Sequence, residues 1–443
     1  MTELKQENIK KELEAYQLSY LKDGEPIAVN FRSLVPELKK SERYSHLIHS
    51  YPAKLLVNIP YYFLASDALC PKNGIVLDPF CGTGTVLLEA VLSGRNALGA
   101  DANPLAKLIT TVKTIHIPRE TLSNTLVTTL IRAKKYRRVV NHPEAVVVWY
   151  SNKSLRQLTN VQRSIAEIED EQQRAFFELC FSNVVRKVSY ADPSISVPVH
   201  WNPERFNSHP ERMNEIRKRL QQLETVDVYD KFEIVCKSNI DRINTLKNHI
   251  CDGITAKIIS DDARKLGLES NSVDLILTSP PYAGAQKYIR ASWLNLYWLN
   301  LVKIEDIREL KTHNIGREDY RKEEIYESYT GIEAADIVLK ELYKMGNAKR
   351  AFLAANYLNE MKVALDESCR VLKKGGYMVI VIGNNTVCQR PFSTQDYLTT
   401  YLQSKGMHLE FKLIDDIKSY GLMTKRNKTA NRISSEWVLV FKK

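Results

Sequence analysis

At 443 residues and a net charge of +11, the chain is long enough for one large elaborated domain, or for a catalytic domain with a recognition domain, and it favours a polyanionic partner. Seven scattered cysteines with no Cys-x-x-Cys pair argue against a zinc site and a disulfide framework, and no run of about eighteen apolar residues is present to cross a membrane. The charged start, MTELKQENIKKELEAY, lacks the apolar core of a signal peptide, so a soluble, reducing, cytoplasmic setting is expected.

In chain order, residues 1–40 read as a polar, helical and irregular arm, and 41–114 as the first part of an α/β core. The segment YSHLIHSYPAKLL, Tyr44 to Leu56, leads into a short helix over Leu55 to Leu69. A β-branched run, Ile75 to Leu77, reaches Asp78, and a helical pattern follows from Thr85 to Leu92. Between them, in DPFCGTG, Gly82 and Gly84 bracket a tight turn that lets the backbone approach a ligand. The spacing is not that of a dinucleotide fingerprint, because the third, packing glycine is missing, and no Lys-Ser/Thr pair marks a phosphate loop. A second strand, Ala97 to Ala100, ends in Asp101, about twenty residues on, where a carboxylate can accept both ribose hydroxyls of an adenosine. The helix Pro104 to Thr114 comes next.

The third core strand arrives only near Ile258, followed by Asp262, which is suited to accept from an adenine amino group. Connections in such sheets are typically about 2–6 residues, so residues 115–250 are an insertion with its own structure. Its clearest amphipathic stretches, Ser154 to Val188 and Glu211 to Val226, are helical, and an insertion of this size is the candidate target-recognition region. Residues 251–443 form the second part of the core. There the apolar strand Val273 to Leu277 ends in Thr278 and meets Ser279, Pro280, Pro281 and Tyr282, which cannot extend it. A serine hydroxyl, a free proline carbonyl and an aromatic ring are a device for gripping a flat, amino-bearing base. A helix over Tyr288 to Leu301 follows, then a charged insertion, 302–350, whose THNIGREDYRKEE portion reads as a mobile loop. The helix Asn356 to Leu372 is expected to stop at Lys373-Lys374-Gly375-Gly376, before strands Tyr377 to Ile382, His408 to Ile414 and Glu436 to Phe441. The sum is a Rossmann-like, seven-stranded sheet interrupted by a large, mainly helical insertion.

A solitary SPPY is ordinarily a Pro-Pro turn with a packing tyrosine, and a solitary strand-end acid is ordinarily a helix N-cap. Three strand-end acids in series followed by SPPY go beyond coincidence. The combination resembles the class I S-adenosylmethionine-dependent DNA amino-methyltransferases, with DPFCGTG as the cofactor motif and TSPPY as the catalytic motif. The resemblance covers about three fifths of the chain and leaves 115–250 and 302–350 outside it. It implies S-adenosylmethionine as cofactor, held by Asp78, Phe80, Gly82, Gly84, Asp101, Asn103 and Asp262, with Tyr51 and Lys54 of the SYPAK segment closing over its methionine end. It implies Ser279, Pro280, Pro281 and Tyr282 as the catalytic turn, and double-stranded DNA as substrate. In that family a serine at the first motif position usually accompanies cytosine N4 methylation, and an aspartate or asparagine accompanies adenine N6.

Two basic clusters are candidate phosphate contacts, although each also reads as a solvated face. The first contains Arg132, Lys134, Lys135, Arg137 and Arg138, and the second Lys425, Arg426 and Lys428. His46 and His49 are spaced like a metal pair but lack an acidic or cysteine companion, so no metal is expected. The expected activity is methylation of cytosine N4 in duplex DNA, within restriction-modification or phage defence, beside a separately acting endonuclease. Adenine-N6 or RNA amino methylation is the alternative on the same sheet. A non-catalytic nucleic-acid-binding subunit is the alternative of another class, and the intact motif residues speak against it.

Overall fold

The computed structural model describes residues 3–443 apart from 39–42, 53, 138–139, 247–248, 283–287 and 417–434. Its strands are β1 Ile27–Val29, β2 Ile75–Asp78, β3 Asn96–Ala100, β4 Ala256–Ser260, β5 Val273–Thr278, β6 Leu372–Ile382, β7 Asn385–Val387, β8 Arg390–Phe392, β9 His408–Asp416 and β10 Ser435–Lys442. Eight of them form one sheet in the order β1-β9-β10-β6-β5-β2-β3-β4, while β7 and β8 pair separately. Neighbours in the large sheet run parallel except at β10, which is antiparallel to both β6 and β9.

Seven strands were expected and an eighth is present. β1 lies within the N-terminal arm and extends the sheet beside β9, pairing Ile27 with Leu413. Three residues between Pro26 and Asn30 are too short a run to carry a periodicity. The arm is also not merely polar, since helix Glu3–Asp23 buries Ile9 and Leu13 and sets Tyr16 against Phe411.

The central strands are apolar on both faces because helices cover both sides. In β6, Val379 and Val381 face one core, and Met378, Ile380 and Ile382 face the other. Helices Glu333–Lys344, Ala348–Val371 and Thr394–Ser404 cover the second face. The first is covered by Thr85–Leu92, Pro104–Thr114 and Tyr288–Trp298, together with the insertion.

The longer insertion helices are Arg119–Lys135, Asn152–Ala166, Glu171–Lys187, Pro210–Thr225 and Val228–Asn244. Their buried side chains, Phe176 and Phe181 among them, are continuous with Ile109, Leu294 and Trp298 of the core. Polar bonds fix the insertion to helix Tyr288–Trp298: Asn295 Nδ2 donates to the Ser182 carbonyl (2.8 Å), Gln162 Nε2 donates to the Trp298 carbonyl (2.6 Å), and His142 Nδ1 pairs with Tyr297 Oη (2.8 Å).

Two local expectations are corrected. Helix Ala348–Val371 ends before the glycines, which lie inside β6: Gly375 takes φ +77° and its N–H donates to the Lys443 carbonyl (2.8 Å). Their role is to let β6 start irregularly beside the chain end, not to stop a helix. The stretch Thr312–Glu324 is packed rather than mobile, because a few apolar and aromatic groups sit among its charges. Ile315 is buried, Tyr320 meets Phe352 edge-on at 5.0 Å, and the Gly316 N–H donates to Glu360 Oε2 (3.0 Å).

Candidate active site

The chain leaves β2 for β3 and β4, then returns at β5 on the other side of β2, so the winding reverses between β2 and β5. Open α/β sheets bind ligands outside the carboxyl ends of the strands at such a reversal. Asp78 closes β2 and Thr278 closes β5, and the buried Thr278 hydroxyl donates to Asp78 Oδ1 over 2.6 Å. The Phe80 N–H donates to the same oxygen (3.1 Å). Burial, opposed by these two hydrogen bonds and reinforced by Asp101, pushes the Asp78 carboxyl up to about 7.

The turn after Asp78 has the backbone its glycines permit. Gly82 has φ +50° and Gly84 φ +67°. At Gly82 a Cβ would meet nothing nearer than the Phe80 carbonyl at 4.0 Å, so a ligand can reach the backbone there. At Gly84 a Cβ would lie 2.7–3.0 Å from three side-chain atoms of Thr110. Gly84 therefore supplies the close helix packing that the turn seemed to lack beside the dinucleotide fingerprint. Gly99 does the same against Leu87 and Cys81.

Asp101, just past β3, holds this turn. Its Oδ2 accepts from the Gly82 N–H (2.9 Å) and its Oδ1 from the Asn103 N–H (2.8 Å), and burial, countered by both bonds, raises it to about 6. A carboxylate oxygen has two lone pairs, so each retains capacity for a ligand hydroxyl. Asn103 caps helix Pro104–Thr114 and donates through Nδ2 to Tyr51 Oη (2.8 Å), which places Tyr51 nearly parallel to Tyr288 at 6.3 Å.

A cleft open to solvent brings together Tyr51, Phe80, Gly82, Asp101, Asp262 and Ser279. Asp78, Gly84 and Asn103 stand behind its wall rather than in it. Lys54 also lies off the lining, with Nζ donating to the His46 carbonyl (2.9 Å). Asp262 is engaged by Arg264, whose Nε donates to Oδ1 (2.8 Å). Burial raises its carboxyl, but the Arg264 bonds outweigh this and hold it below the usual range.

Of the SPPY turn, Ser279 and Pro281 line the cleft, Pro280 is buried, and the Tyr282 hydroxyl donates to Glu436 Oε1 (3.2 Å). Sequence reasoning missed Thr278 and Glu436, whose roles depend on contacts across strands. It also missed His313, Asn314 and Ile315, which form part of the wall. For these the signal was an apolar residue within a charged segment.

His46 pairs with Glu89 Oε1 (2.8 Å) and His49 with Ser182 Oγ (2.9 Å), and burial lowers both imidazoles to about 4. Both have partners within the protein, and among the described residues no group of three metal-ligating side chains occurs. The described part of the first basic cluster ends helix Arg119–Lys135. There Arg132 pairs with Glu167 (3.1 Å), Lys134 lies over the Tyr229 ring and Arg137 bonds local carbonyls, while Lys135 is exposed. Cations at that end complement the helix dipole, and none lines the cleft. Arg138, Lys425, Arg426 and Lys428 fall outside the described residues.

A family model described as DNA methylase matches residues 2–112 and 273–443, together more than half of the chain. The Type II methyltransferase M.MvaI of Kocuria varians is 23% identical over 91% of this chain and 92% of its own. The Type II methyltransferase M.MjaII of Methanocaldococcus jannaschii is 30% identical over 24% of this chain and 20% of its own. Among solved structures, a TehB-like SAM-dependent methyltransferase from Corynebacterium glutamicum covers 87% of each chain at 10% identity and a TM-score of 0.28, which adds nothing to the architecture.

Proposed function

The chain belongs to the N6/N4 DNA methylase family and uses S-adenosylmethionine, and from that premise we propose that it methylates the exocyclic N4 amine of cytosine at a specific site in duplex DNA. The observation that carries this reading is the placement of Ser279 at the carboxyl end of β5, in one cleft with Gly82 and Asp101.

The cofactor supplies an electrophilic methyl group on a sulfonium. The open backbone at Gly82, the spare lone pairs of Asp101, and Tyr51, Phe80 and Asp262 in the lining suit its adenosine and amino-acid parts. The chain must then make a poor nucleophile competent. The lone pair of a cytosine amine is delocalised into the ring. When Ser279 Oγ and the Pro280 carbonyl accept its two hydrogens, the nitrogen turns pyramidal and faces the methyl group. Serine is no strong base, and none is required if the proton leaves after nitrogen has become cationic. Orientation and fixed dipoles provide the acceleration. The amine is paired inside a duplex, so the base must be extruded, with Tyr282 as its stacking surface.

The insertion 115–250 is the region we assign to sequence recognition. It is the largest departure from the family core and is bonded directly to the helix that follows the catalytic turn. The relatives' Type II designation favours a restriction-modification setting, with an endonuclease acting on the same site.

Nucleoside mass spectrometry of DNA from expressing cells tests the target atom: N4-methylcytosine is expected, and N6-methyladenine in its place would overturn the cytosine assignment. Ser279→Ala should lower transfer by about a hundredfold or more while cofactor and DNA still bind, the loss typical of one aligned donor or acceptor at a reacting centre.

A further inference from the structure

Tyr282 projects from the end of β5, yet its hydroxyl is held from β10, two strands away in the sheet. The reach is possible because β10 runs antiparallel to β6. Its first residues therefore sit at the carboxyl edge of the parallel strands, with Trp437 opposite Ile382. Glu436 lies at that edge and accepts from Tyr282 Oη at 3.2 Å. Ser279, at the other end of the same turn, also acts on this hydroxyl and lowers its proton affinity, while burial and Glu436 raise it.

Glu436 stands directly across from Asp415 of β9, and like charges in that relation repel. Burial first, and then Asp415, raise its proton affinity, while Tyr282 and Arg32 oppose them.

We propose that Glu436 is a positioning residue that fixes the Tyr282 ring, through its hydroxyl, in the one rotamer that presents a flat face to an extruded base. The role rests on the amino-methyl transfer described above. A tyrosine side chain has three staggered χ1 wells, and a hydroxyl anchored from another strand selects among them before the base arrives.

The test is steady-state methyl transfer to duplex DNA by the full chain and by Glu436→Ala, Glu436→Gln, Tyr282→Phe and the double variant Glu436→Ala/Tyr282→Phe. Glu436→Ala should lose about tenfold in kcat, the effect of one hydrogen bond to a carboxylate, with KM for S-adenosylmethionine unchanged. Glu436→Gln keeps an acceptor oxygen and should recover most of the loss. Tyr282→Phe removes the bond from its other end and should match Glu436→Ala, and the double variant should be no worse than either. Additive losses, a Gln variant as poor as Ala, or full activity in Tyr282→Phe would each overturn the role, the last even if Glu436→Ala failed to fold. A wild-type chain that transfers no methyl group to any duplex DNA would overturn the proposed function itself, and this role with it.

Discussion

Asp78→Asn should make the protein more stable in neutral and alkaline solution, although it alters a residue directly behind the wall of the cleft. The wild-type carboxyl is 3% exposed, and burial carries it from an ordinary 3.8 to about 7. Because the folded value is the higher, the folded state binds the extra proton. Stability from the neutral acid is complete below about pH 4 and is lost as pH rises through about 7. With those two values, linkage places the loss between about pH 5.5 and about pH 8 at roughly 2 kcal/mol. Asparagine is neutral throughout, and its side-chain oxygen can still accept from Thr278 Oγ1 and the Phe80 N–H. Urea denaturation of both proteins without cofactor, at the two pH values, reads the term together with its coupling to Asp101, since uncoupled titrating groups cancel in the difference. The variant's advantage should be about 2 kcal/mol greater at the higher pH. Parallel profiles would refute the reasoning and show that Asp78 is ionised, and well solvated, across the range.

Asp101→Ala should weaken S-adenosylmethionine binding by about 1–3 kcal/mol in calorimetry, since it removes a ligand acceptor and frees the Gly82 N–H, and unchanged affinity would remove Asp101 from the site. Gly84→Ala combines left-handed φ with a Cβ driven into Thr110 and should cost about 2 kcal/mol or more in thermal or urea melts. Thr110→Ala should recover part of that cost in the double variant, and no recovery would place the strain elsewhere. Exchanging residues 115–250 for the insertion of a relative with another target should move specificity, as read by sequencing methylated sites. A folded chimera that keeps the original site would shift recognition to 302–350.

What the sequence disclosed follows the range of the forces involved. Helices Thr85–Leu92 and Pro104–Thr114 occur as expected, because a turn glycine at Gly84 and an Asn-Pro cap at Asn103 are local signals. The strand-end acids were legible because each follows a short apolar run. β1 was not, since Ala28 and its neighbours form a strand only through β9, almost four hundred residues away. The same limit hid Thr278 and Glu436, whose meaning lies in a bond to another strand. It also hid Arg264: nothing in the order Asp-Asp-Ala-Arg says that the guanidinium folds back onto Asp262.

The hydrogen bond between Thr278 and Asp78 joins residues 200 positions apart. At a synthesis rate of about 5–20 residues per second, the strand that completes the centre of the sheet emerges on the order of 10–40 s after its neighbour. For that interval β2 has one open edge, while the insertion helices are made. Only when Thr278 has left the ribosome can the carboxylate find its partner and the cleft take shape. Site assembly is thus timed by the length of the inserted region, so lengthening or shortening it alters the period of exposure. Limited proteolysis of ribosome-bound chains stalled on either side of Thr278 would reveal the change as a sharp gain in protection around β2, and equal protection at both lengths would contradict it.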